Sequence, residues 1–171
     1  TIDPTIGDAN WLSMGGLPGT GGVVYAVLRN GSDIYVGGSF IMAGDILANN
    51  IARWDGTAWH TLGTGMDSYV TALALDSNGH VVAVGDFGMA GGVANTLRIA
   101  RWDGSNWYAM GTGANAIVYA LATGPGGKVY VGGEFSTIGG VAANAVAEWN
   151  GSVWKSLGSG MNNTVNALAL D

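Results

Sequence analysis

The sequence predicts an all-β chain built from repeated units of four short antiparallel strands. Three observations carry this. Aromatic residues recur at a fixed period: Trp11, Trp59, Trp107 and Trp154 stand 48, 48 and 47 residues apart. Glycine supplies 31 of 171 residues, and Asp-Gly and Asn-Gly pairs punctuate short apolar runs, where strands must reverse. No stretch combines helical periodicity with credible caps, which excludes helical repeats.

Three further series keep the same period: Trp54, Trp102 and Trp149; Phe40, Phe87 and Phe135; and Val24, Val70, Val118 and Val165. Strand A of each unit reads Val-x-Ala-Leu, as at Val70 to Leu75 and Val118 to Ala122. Its alternation puts Val, Ala and Leu between neighbouring units. Strand B is Ile34 to Phe40 and again Val129 to Phe135. Its glycine pairs, Gly37-Gly38 and Gly132-Gly133, permit close backbone approach or a bulge. Strand C spans Asn50 to Trp54, Leu97 to Trp102 and Ala145 to Trp149; strand D starts at the second Trp of each unit. Between C and D lie Asp55-Gly56, Asp103-Gly104 and Asn150-Gly151, pairs suited to the positive φ of hairpin turns. Either a two-residue turn or a four-residue loop fits. The loop would set the two Trp of each unit directly opposite each other.

Four strands at a period of about 47 residues describe a β-propeller blade. The order Ile34-Tyr35-Val36-Gly37-Gly38, Trp54, Trp59 resembles the kelch repeat, as does Val129-Tyr130-Val131-Gly132-Gly133, Trp149, Trp154. The middle unit departs, with Gly85-Asp86 at this point, so Asp86 is read as replacing a repeat glycine. The resemblance extends to bacterial secreted Gly- and Trp-rich propeller proteins. It implies a propeller fold and leaves function open. Trp54-Asp55 and Trp102-Asp103 are similar to the WD dipeptide, but its Gly-His companion is missing.

The strand count is incomplete for a ring. Residues 1–23 hold a terminal D strand at Trp11 and the entry, 24–69 blade 1, 70–117 blade 2, 118–164 blade 3, and 165–171 one further A strand. Propellers have at least four blades. The array is therefore expected to be partial, within a longer chain, or completed by copies of itself. The start at Thr1, with no Met and no leader pattern, fits a processed chain or a segment.

Composition narrows the function classes. Net charge is -6, which argues against nucleic-acid binding. Hydrophobic residues reach 48 %, against disorder. No apolar run approaches membrane-spanning length. Cysteine is absent, so disulfides, thiolate metal sites and cysteine nucleophiles are excluded. The copper-radical chemistry of one kelch-type oxidase family needs a Cys and is excluded with them. Together with few basic residues and much Gly, Asn and Thr, this favours an extracellular or cell-surface protein.

His60 and His80 lack metal spacing and read as exposed polar residues. Most acidic residues sit in turns. Asp86 and Glu134 share one repeat position with Ser39, and this ring of slots is the candidate binding site, for a cation or a sugar. The Trp residues read as packing. Arg53, Arg101 and Glu148 precede the strand-C Trp and are expected to pair between blades. No catalytic set, metal site or cofactor motif emerges. The expected role is a non-catalytic structural, adhesion or assembly module. A glycan-binding propeller is the alternative, and an enzyme with its site in further blades the third reading.

Overall fold

The computed structural model describes residues 19–170; Trp11 and the D strand expected around it lie outside the described residues. Three four-stranded antiparallel sheets follow one another. Blade 1 is β1 (Val23–Asn30), β2 (Asp33–Ser39), β5 (Ile51–Trp54) and β6 (Trp59–Thr61). Blade 2 is β7 (Val70–Leu75), β8 (Val81–Gly85), β9 (Ile99–Trp102) and β10 (Trp107–Ala109). Blade 3 is β11 (Val118–Gly124), β12 (Lys128–Gly133), β15 (Val146–Trp149) and β16 (Trp154–Ser156). The innermost strands β1, β7 and β11 are neighbours in that order. Among the described residues no helix is long and apolar enough to cross a membrane.

Between strands B and C the chain makes a short ribbon, which the strand patterns did not reveal. It is β3 (Met42–Ala43) with β4 (Ile46–Leu47) in blade 1, and β13 (Thr137–Ile138) with β14 (Val141–Ala142) in blade 3. In blade 2 a single Ala90–Val93 bridge takes its place. Buried Thr96 holds that turn: its hydroxyl donates to Val93 O (2.7 Å) and accepts from Ala90 N–H (2.8 Å).

Most of the core lies between blades, and a third cluster, Val36, Phe40, Ala43, Ala48, Ala52 and Trp59, belongs to blade 1 alone. Leu62, Met66, Val70, Phe87 and Trp107 fill the space between blades 1 and 2; Val84, Met110, Val118, Phe135 and Trp154 fill that between 2 and 3. The C-to-D connection is the four-residue loop, and the Trp pairs are cross-strand partners. Their ring centroids are 5.5, 5.3 and 5.3 Å apart, tilted by 58°, 51° and 54°. In blades 2 and 3 the second Trp also ties its blade to the preceding one. Trp107 Nε1 donates to Leu62 O (2.9 Å) and Trp154 Nε1 to Met110 O (2.7 Å).

The loop itself is held by its first residue. Asp55 Oδ1 accepts from Ala58 N–H, Thr57 N–H and Thr57 Oγ1, each at 2.8 Å. Asp103 and Asn150 cap their loops alike, and Gly56 beside Asp55 takes φ 99°. His60 Nε2 lies 2.6 Å from Asp55 Oδ2, and His80 Nδ1 3.1 Å from Asp76 Oδ2. The histidines are thus half-buried turn partners, not free surface groups. Hydrogen bonding, led by Ala58 N–H, holds the Asp55 carboxyl well below the usual carboxylate range. A depressed folded pKa gives stability that is full above the ordinary value near ~4 and is lost as pH falls through the folded value. Asn150 does the same work without a charge. Asp55→Asn is therefore expected to flatten the fall of melting temperature between about pH 5 and pH 2. Parallel curves for the two proteins would contradict this.

Three expectations are corrected. Gly85 pairs with Val70 as Gly38 pairs with Val24 and Gly133 with Val118. Asp86 therefore replaces no glycine, and the departure in blade 2 is Val84, at the position of Gly37 and Gly132. The charges before the strand-C Trp pair within their blades: Arg53 with Asp33 (3.0 Å), Glu148 with Lys128 (3.1 Å), Arg101 with Asp76 (3.9 Å). Register explains this, because strand C lies directly beside strand B of its own sheet. Finally, Val165–Leu170 forms no strand. An inner strand takes its ladder from strand B of its own blade, and no described residue supplies one. Val165 still docks like an inner strand: its N–H donates to Gly133 O (3.1 Å), and its side chain faces Gly132 as Val70 faces Gly37.

Candidate functional site

Each inner strand carries a bulge at the residue after its repeat valine, Val24, Val70 or Val118. The ladder skips Tyr25 in β1, Thr71 in β7 and Tyr119 in β11. A bulge re-aims the extra side chain out of the alternating pattern. These three residues, with Tyr69 from the segment entering β7, line a cleft of about 440 Å³ at one end of the inner strands. Tyr25 and Tyr69 meet edge to face, centroids 6.1 Å apart at 65°. Thr71 Oγ1 lies 2.6 Å from Val118 O and 3.1 Å from Val84 O, fastening blade 2 to blade 3.

The acidic slots border this cleft. Glu134 Oε1 accepts from Tyr119 Oη–H at 3.0 Å. Asp86 Oδ1 accepts from Arg98 Nε at 3.3 Å, and Arg98 Nη1 also donates to Ala114 O at 3.0 Å. Burial raises the pKa of the Tyr69 and Tyr119 hydroxyls, and the charges of both Asp86 and Glu134 raise it further. The structure thus brings two of the three expected slots to one set of tyrosines. Ser39, the third, is exposed at the end of β2 and adds no charge. The Trp positions lie elsewhere: Trp59, Trp102, Trp107 and Trp154 are buried, and Trp54 and Trp149 half-buried in the hairpin pairs. Phe40, Phe87 and Phe135 are core.

The tyrosines escaped the sequence reading. The signal was the x of Val-x-Ala-Leu, filled by Tyr25, Thr71 and Tyr119. Chemically the rim offers aromatic faces, hydroxyl donors and two carboxylates. Among the described residues no three His, Asp or Glu converge on a point.

A family model described as a domain of unknown function (DUF5122), β-propeller, matches residues 125–150, which hold β12 and the C strand of blade 3. The fold is that of β-propeller blades. The crystal structure of the computationally designed Ika4 protein is similar over 91 % of this chain and 84 % of its own, with TM-score 0.58 and 19 % sequence identity. That likeness concerns the fold alone. No curated protein matches the chain.

Proposed function

We propose that the chain is a non-catalytic extracellular β-propeller module with a structural, adhesion or assembly role, whose array is completed by further blades. One observation carries this. Val24, Val70 and Val118 hold the same place in their blades, yet Val24 is 38 % exposed and the other two 0 %. Among the described residues only Val70 and Val118 have a preceding blade against them; on blade 1 the outer part of that face, at Val36, Phe40 and Trp59, is buried, and the inner strand is what stays open. Val27 on the same strand is 67 % exposed. Such a face is made to be covered. The covering blades come from a longer parent chain or from other copies.

Light scattering after size exclusion tests this. Self-completion predicts a discrete multiple of the 17.3 kDa chain mass, with the β1 amides protected from hydrogen exchange. Aggregate or unfolded chain would assign the missing blades to a longer parent. A stable folded monomer would refute the proposal.

Glycan binding is the second reading, favoured by the tyrosine rim with its two carboxylates. Tyrosine faces stack on sugar rings while carboxylates accept from hydroxyls. A glycan array without a hit removes it.

A further inference from the structure

The blades share one backbone frame at the residue before strand C. Asn50, Arg98 and Ala145 have φ of 63°, 62° and 59°. Each N–H donates to the Phe carbonyl of its blade, Phe40, Phe87 or Phe135, at 2.8, 2.8 and 2.7 Å. Each carbonyl accepts from Gly38, Gly85 or Gly133 N–H at 3.0, 3.2 and 2.9 Å. A side chain on this frame leaves in the same direction in every blade.

Two blades use it in the same way. Asn50 Nδ2 donates to Met66 O at 2.9 Å. Arg98 Nη1 donates to Ala114 O at 3.0 Å, while its Nε reaches Asp86. Met66, Ala114 and Met161 are equivalent, since their N–H groups bond the carbonyls of Asn49, Leu97 and Asn144 at 2.9, 3.0 and 2.9 Å. Blade 3 therefore has both acceptors, Met161 O and the Glu134 carboxylate, but Ala145 ends at a methyl and gives neither a donor. At this point a polar cleft of about 250 Å³ opens, lined by Glu134, Ser136, Asn144, Ala145, Met161 and Asn163 among others. Glu134 has no basic partner within 4.0 Å among the described residues.

We propose that this cleft binds a guanidinium group, held between the Glu134 carboxylate and Met161 O as the Arg98 guanidinium is held between Asp86 and Ala114 O. Two separated acceptors suit a planar fork of N–H donors better than the point charge of an ammonium. Glutamate, one methylene longer than Asp86, suits a group that is not tethered to the frame. The group comes either from an arginine side chain of a protein or from a small free guanidine.

The test is a titration of the full chain with methylguanidinium, read from the amide shifts of Glu134, Ser136 and Asn163. Because Glu134 is exposed, saturation is expected on the order of millimolar. Methylammonium should bind about tenfold more weakly, and Glu134→Gln should weaken methylguanidinium binding about tenfold. Ala145→Arg should abolish it by placing a guanidinium there from within, with the circular dichroism of the fold unchanged. Wild type without saturable shifts below about 100 mM, or an unaltered affinity in Glu134→Gln, overturns the proposal. Tighter binding of acetyl-arginine amide than of free arginine assigns the source to a protein side chain; the reverse assigns it to a small molecule.

Discussion

Trp107→Ala is expected to cost about 3–5 kcal/mol, the range for removing a large buried aromatic. The indole is 4 % exposed and packs between blades 1 and 2. Its loss also leaves Leu62 O without the Nε1 donor. Small domains have only about 5–15 kcal/mol in total, so this one change removes a large share of it. Trp149→Ala sets the scale: that ring is half-buried, and it occupies the first place of the Trp pair. Its cost should be smaller by about 1 kcal/mol or more, the net value of a hydrogen bond plus the difference in burial. Urea unfolding of both variants measures this. Equal losses would mean that the indole-to-carbonyl ties add nothing.

The second large effect separates two adjacent glycines. A Cβ on Gly38 would run into the Val23 carbonyl oxygen and lie 2.9 Å from Val24 Cα. These are backbone atoms, fixed by the bulge in β1, and cannot yield without breaking the register. Gly38→Ala should cost about 3 kcal/mol or more. A Cβ on Gly37 meets only side chains, Val70 Cγ1 at 2.6 Å and Leu73 Cδ1 at 3.3 Å. Blade 2 carries Val84 at this very position, fully buried. Gly37→Ala should therefore cost about 1 kcal/mol. A reversed order of unfolding midpoints would refute the register argument.

The same pair marks the limit of what the sequence disclosed. The period, the four strands and the Trp pairs were legible because each depends on a recurring residue type. The equivalence of Asp86 with Ser39 and Glu134 was visible from the Phe series, yet the Gly-Gly pattern pointed to a different alignment. Only the ladder decides, because a bulge in strand A changes which glycine faces which carbonyl. The ribbons β3–β4 and β13–β14 have two residues per strand, too few for alternation to register. Arg98 and Ala145 take positive φ without the Asn or Gly that would announce it, held there by hydrogen bonds to Phe87 and Phe135. The tyrosine rim was hidden for a related reason: Tyr25 and Tyr119 occupy the one position where the alternation of strand A fails, and Tyr69 precedes the strand.

The indole ties give the array a direction. Among the described residues both bonds of this kind run from a blade to the one before it in the chain, Trp107 to Leu62 and Trp154 to Met110. Cutting away a later blade leaves a carbonyl, which water can satisfy. Cutting away an earlier blade bares the large apolar indole that had packed against it, along with a donor that has lost its carbonyl. Trimming from the two ends is thus unequal. Shortened arrays that keep their first blade should outlast those that keep only their last, and a growing chain acquires each acceptor before the donor that needs it.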